Sequence, residues 1–165
     1  MAAVLISVEE YLDTAYSPDR EFVNGVVVER QVGERPHSLV QRNITVYLAN
    51  HASNAWIWPE QRVRLAPNRF RIPNICVTVQ DPGTDIFDTP PLVGIEILSR
   101  RDETSDVLEK LAEYHAFGVT HIWLIDPRRK KTYVFDGALH ECRSASLTAP
   151  EADIDLPLAA VFEGL

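Results

Sequence analysis

The chain has 165 residues, 45% of them hydrophobic and 24% charged, with a formal net charge of −8. This composition excludes a disordered or fibrous chain, and the acidic balance disfavours indiscriminate nucleic-acid binding, which needs a positive field. A single domain spanning 1–165 is expected, with no membrane span because no segment nears the ~18 apolar residues required.

The N-terminal Met1-Ala2-Ala3-Val4-Leu5-Ile6 lacks the basic region and apolar core of a secretion signal, so a cytoplasmic protein is expected. Ser7-Val8-Glu9-Glu10 has capping-box spacing and predicts a short helix ending before Ser17-Pro18. Glu21 to Arg30 reads as a hairpin, since Asn24-Gly25 supplies the positive backbone angles of a type I′ turn. Glu21 itself is expected to be a surface acid of an edge strand. Apolar residues at Leu39, Val40, Ile44, Val46, Tyr47 and Leu48 predict a packed helix over 38–52. Three strands follow by pattern, near 56–65, 70–79 and 92–98, with an acidic loop carrying Asp81, Asp85 and Asp88 between the last two.

Thr104 to Phe117 is the clearest helix. Val107, Leu111 and Tyr114 form one stripe, and Gly118 is a natural terminator. Strands at 121–125 and 132–135 are joined by a turn at Asp126-Pro127, and a third is expected at 139–142. The order predicts an α/β (α+β) domain with one mixed sheet. In it 92–98 is a central strand flanked by 70–79, and the helix 104–117 lies over it. Cys76 and Cys142 are too few for a disulfide framework and lack metal-ligand spacing. Arg62, Arg64, Arg69 and Arg71 alternate as a solvated strand face would, and Arg128-Arg129-Lys130-Lys131 reads as a polar turn.

The chemical signal is Glu96, alone among apolar residues in Leu92-Val93-Gly94-Ile95-Glu96-Ile97-Leu98. Such a run is a strand covered on both faces, and an ionised carboxylate there costs several kcal/mol unless a cation or strong donors meet it. A buried arginine is one possible partner; a divalent metal is the other. Metal-assisted phosphodiester hydrolysis needs an acid at one strand's start, an acid on the next strand and a nearby lysine. Glu96 fits the second role. Lys110, on the following helix, fits the third, and the backbone carbonyl of Ile97 is a further ligand. Position 74 would hold the first acid, and it is Asn74. His37 and Glu60 are supporting candidates: His37 as a base or phosphate donor against a plain helix cap, Glu60 as metal-site support against an arginine partner.

Several strings carry a resemblance. They are Arg71-Ile72-Pro73-Asn74-Ile75-Cys76-Val77, Ile95-Glu96-Ile97-Leu98-Ser99, Lys110-Leu111-Ala112-Glu113-Tyr114 and Ile122-Trp123-Leu124-Ile125-Asp126-Pro127, with Phe117-Gly118-Val119 between. In order and spacing they resemble the Uma-type restriction endonuclease family of the PD-(D/E)XK nuclease superfamily. The resemblance implies the restriction-endonuclease-like αβββαβ core, with an N-terminal helix plus hairpin added. It implies Mg²⁺- (or Mn²⁺-) dependent hydrolysis of nucleic acid, DNA before RNA, and a homodimer. Carried onto this chain, Asn74, Glu96 and Lys110 are the catalytic positions, and Asn74, Glu96 and Ile97 the metal ligands. Asn74 stands where the family has a metal-binding aspartate. An amide lacks the full charge that holds the cation, so weak metal binding is expected unless Glu60, Asp81 or Asp85 compensates. A catalytically inactive binding or interaction protein with the nuclease fold is the alternative that Asn74 opens.

Overall fold

The computed structural model describes residues 3–31 and 33–165. Helix α1 (Val8–Asp13) starts where the capping box places it, with the Ser7 hydroxyl accepting the Glu10 N–H at 3.0 Å. Strands β1 (Glu21–Val23) and β2 (Val26–Val28) pair as a hairpin, with Asn24 at φ 50° and Gly25 at φ 89°. Helix α2 (Arg35–His51) begins earlier than the apolar pattern suggests, with Pro36 in its first turn, where a missing N–H costs nothing. This earlier start places His37 inside the helix.

The expected strands 56–65 and 70–79 are each two strands. The first divides into β3 (Trp56–Pro59) and β4 (Val63–Ala66), the second into β5 (Arg69–Arg71) and β6 (Ile75–Thr78). One break falls at Glu60, whose φ of 56° is left-handed. The other falls at Ile72-Pro73-Asn74, where proline has no N–H to give a ladder. The two breaks face each other across the hairpin, since Pro59 is opposite Ile75 and Val63 is opposite Arg71. There the hairpin leaves one sheet and enters another.

The larger sheet runs β10-β9-β8-β7-β6-β3, and the smaller runs β2-β1-β5-β4. Strand β7 (Val93–Ile97) is central in the larger sheet, fully buried, antiparallel to β6 and parallel to β8 (His121–Asp126). Helix α3 (Thr104–Phe117) makes the β7-to-β8 crossover and ends at Gly118, φ 106°. Leu111 and Tyr114 of α3 pack with Val119, Ile122 and Leu124 over one face of the sheet. Strands β9 (Lys131–Phe135) and β10 (Leu139–Glu141) complete that sheet as expected.

The other face is covered by α2 and by a C-terminal unit the sequence pattern did not announce. This unit is the hairpin β11 (Ser146–Ala149) and β12 (Ile154–Pro157), followed by α4 (Leu158–Val161). Its Leu147, Ile154, Leu156 and Val161 share a core with Val40, Ile44 and Leu48 of α2. The larger sheet is therefore a mixed sheet between two apolar layers, which accounts for the unbroken hydrophobic reading of β7.

Candidate functional site

Where the two sheets part, a cleft of about 410 Å³ opens beside the end of β7. Glu21, Arg30, His37, Asn74, Glu96, Ile97 and Lys110 are among its lining residues. The lining carries seven carboxylates against four cationic side chains, so the cleft draws a cation more readily than a bare polyanion.

Glu96 projects from β7 and is 8% exposed. Its partner is not the arginine that a buried carboxylate commonly takes. Tyr114 of α3 donates its hydroxyl to Glu96 Oε1 at 2.6 Å, and the Lys110 ammonium lies 3.7 Å from Oε2. Burial pushes the Glu96 carboxyl above the usual range, an effect that Lys110 and Tyr114 only partly reverse. Lys110 and Tyr114 are one helical turn apart, so α3 presents both to the same strand.

Lys110 Nζ is nearer still to Glu21, at 3.2 Å from Oε1. Glu21 is 2% exposed, which corrects its reading as a surface acid. The Ile72 N–H donates to Glu21 Oε1 at 2.9 Å, and Arg71 pairs with Oε2 at 3.0 Å. Burial raises the Glu21 carboxyl, but Lys110, Arg71 and the Ile72 N–H outweigh it and hold it below its ordinary range. For Lys110, burial lowers the ammonium pKa, yet Glu96 and Glu21 together hold it above its ordinary range. The lysine is thus a protonated bridge between two buried carboxylates.

Arg71 is also buried, against the expectation of a solvated arginine stripe. Its Nε and Nη2 meet both oxygens of Glu113 on α3 at 2.7 and 2.9 Å, and Arg69 joins Glu113 at 3.0 Å. Arg62 likewise pairs with Asp19 at 2.6 Å and lies over the Tyr11 ring. These arginines tie the smaller sheet to α1 and α3. In the sequence, the only sign of Glu21's position is that Val23 shares its strand face, which marks that face as half apolar.

Asn74 lies in the break before β6, nearly buried. Its Oδ1 accepts the Ile97 N–H at 2.8 Å, and its Nδ2 donates to Glu60 Oε1 at 3.4 Å. These two partners fix which way the amide faces. Glu60 does not line the cleft itself; it reaches the site through Asn74 and through Arg30, which pairs with its other oxygen. His37, a candidate base or phosphate donor weighed against a plain helix cap, is 7% exposed and lines the cleft with its Nδ1 lacking a hydrogen-bond partner. Burial lowers its pKa, leaving a neutral imidazole beside Asn74. Asp81 instead caps the Gly83 N–H, and neither Asp81 nor Asp85 lines the cleft.

Among the described residues, no three His, Cys, Asp or Glu side chains are grouped to hold a metal. The oxygens of Glu96, Asn74 and Ile97 are of the kind a hard cation takes, and the unpartnered His37 nitrogen marks a cleft with unfilled polar capacity. The donor set fits a divalent ion in kind, one formal charge short. No helix of the described residues is long and apolar enough to cross a membrane.

A family model described as "Uma2: Putative restriction endonuclease" matches residues 8–162. A crystal structure of a "putative nuclease" from Anabaena variabilis ATCC 29413 superposes with a TM-score of 0.82 at 20% sequence identity. That match covers 95% of this chain and 97% of the other, and at such identity it speaks to the fold. A comparison with curated proteins gives no match.

Proposed function

The chain belongs to the Uma2 family, and from that premise we propose that its cleft is a phosphodiester-hydrolysing site of the nuclease type, weakened by Asn74. One observation carries this reading: a buried carboxylate on a central strand, Glu96, meets the lysine of the following helix in the cleft that Asn74 also lines. Glu96, the Asn74 amide oxygen and the Ile97 carbonyl would hold Mg²⁺ or Mn²⁺. When bound, the ion polarises the phosphoryl oxygens and lowers the pKa of an attacking water. Lys110 would place a positive charge beside the phosphoryl oxygens, on which negative charge builds as phosphorus becomes pentacoordinate. Tyr114 holds the Glu96 carboxylate in one orientation, and neutral His37 is a proton acceptor within the cleft. Nucleic acid is the substrate, DNA before RNA, acted on by a homodimer.

Asn74 sets the level of activity. The proposed ligand set Asn74, Glu96 and Ile97 has one carboxylate where the resembled set has two, and losing one catalytic electrostatic interaction commonly costs ~100-fold or more in rate. The test is titration of Mg²⁺ and Mn²⁺, with cleavage assays on duplex and single-stranded DNA and RNA, for wild type, Asn74→Asp and Glu96→Ala. Wild type is expected to bind metal weakly and cleave slowly or not at all, Asn74→Asp to bind more tightly, and Glu96→Ala to do neither. Robust Mg²⁺-dependent cleavage by wild type, abolished by Glu96→Ala, would show that Asn74 is no handicap. The amide's tie to Ile97 and Glu60 favours a second reading, a nuclease-fold binding protein without hydrolysis. An Asn74→Asp variant that is folded yet neither binds Mn²⁺ nor cleaves decides for it.

A further inference from the structure

We propose that Glu60 is the positioning residue that holds position 74 as an amide, so that in the metal-free protein a carboxylate at 74 is tolerated without loss of stability only when Glu60 is replaced by its amide. The inference deepens the reading of position 74 as a metal-ligand position and rests on it for its functional meaning. Its physical basis is independent.

Glu60 is held in a left-handed backbone conformation, φ 56°, which disfavours a residue with a Cβ. Such a conformation persists where its surroundings over-determine it. Here the Glu60 N–H donates to the Asn74 carbonyl at 3.0 Å. Gln41 of α2 clamps the same pair, its Nε2 donating to the Asn74 carbonyl at 3.0 Å and to Glu60 Oε1 at 2.6 Å. Arg30 takes the other Glu60 oxygen. The carboxylate so fixed faces the Asn74 Nδ2 at 3.4 Å, while Ile97 fixes the amide oxygen on the opposite side.

An amide satisfies both neighbours, because it accepts from Ile97 and donates to Glu60. A carboxylate at 74 keeps the first bond and has no proton for the second, so two anions stand face to face. Arg30, the cation nearest the pair, is already engaged by Glu60. The Asn74→Asp change that would restore the charge of the resembled site therefore conflicts with Glu60. Changing Glu60→Gln at the same time reverses the bond, with the new amide at 60 donating to the new carboxylate at 74.

The experiment is a double-mutant cycle on the full chain: wild type, Glu60→Gln, Asn74→Asp and the double variant, by thermal unfolding at neutral pH with chelator present. Glu60→Gln is expected to lower the Tm in the wild-type background and to raise it in the Asn74→Asp background. A carboxylate at 60 with only a structural role would lower it in both. Side-chain amide signals of Asn74 in a ¹H–¹⁵N spectrum, identified by their loss in Asn74→Asp, are expected to shift in Glu60→Gln. This second reading stands even if Asn74→Asp alone does not fold. Equal lowering in both backgrounds, or Asn74 amide signals unmoved in Glu60→Gln, would overturn the proposal. Neither measurement involves metal or nucleic acid, so their failure is separate from failure of the hydrolytic reading.

Discussion

Replacing Lys110 with methionine tests the charge arrangement at the base of the cleft most directly. Methionine keeps the length of the unbranched stem and removes only the ammonium. That ammonium lies 3.2 Å from Glu21 and 3.7 Å from Glu96, and the lysine side chain is 20% exposed. At an effective dielectric of about 20 each contact is worth about 5 kcal/mol of attraction before desolvation is counted. Removing the lysine also removes the cost of burying it, so the net loss expected is about 3–5 kcal/mol, the usual cost of orphaning a buried charge.

The pH dependence follows from the two carboxyls. Glu96, held above the ordinary range, binds its proton more tightly folded than unfolded, so its ionisation takes stability away as pH rises beyond that range. Glu21, held below the range, contributes stability that is lost as pH falls through it. Glu21 keeps Arg71 and the Ile72 N–H in the variant, whereas Glu96 keeps only Tyr114. The penalty should therefore be largest in mildly alkaline solution and shrink as pH falls toward the carboxylate range, where a protonated Glu96 needs no counter-ion. Urea unfolding of both proteins over this span of pH measures it. A loss below about 1 kcal/mol that does not vary with pH would refute the bridging role of Lys110.

Two further variants probe the supports of the site. Tyr114→Phe removes the 2.6 Å hydrogen bond to Glu96 Oε1, and urea unfolding near neutral pH should show a loss of about 1.5–3 kcal/mol, as for hydrogen bonds to charged groups. Gly118→Ala forces a side chain onto φ 106°, with its Cβ 3.3 Å from Pro90 Cγ, and should lower stability by about 1–2 kcal/mol in the same assay. A Gly118→Ala variant as stable as wild type would mean the α3 terminus relaxes without cost.

The sequence by itself determined the Asn24-Gly25 hairpin, the capped start of α1, the α3 stripe ending at Gly118 and the alternation of helices and strands up to β10, though not the break of two strands at Glu60 and Pro73. It also determined that β7 is central, because an apolar run without alternation is a strand with two covered faces. These features depend on neighbours a few residues apart, whose spacing is visible in one dimension. The need of Glu96 for a partner was legible in the same way. Its partners were legible only as far as Lys110, which α3 carries back over β7; Tyr114 read as one more apolar stripe residue.

What tertiary structure alone decided is where the polar residues go. Glu21 and Arg71 look like surface charges because each lies on a short strand with mixed faces. They become buried when α3 brings Glu113 and Lys110 against the smaller sheet and each charge finds its opposite. Likewise, nothing local to 56–65 or 70–79 marks a change of sheet beyond Pro73; Glu60 turns because Gln41, Arg30 and Asn74 converge on it. Apolar burial is a property of one segment's composition, but a buried charge is stable only beside a partner. That partner comes from an element distant in sequence, so the site took shape only when the two sheets met.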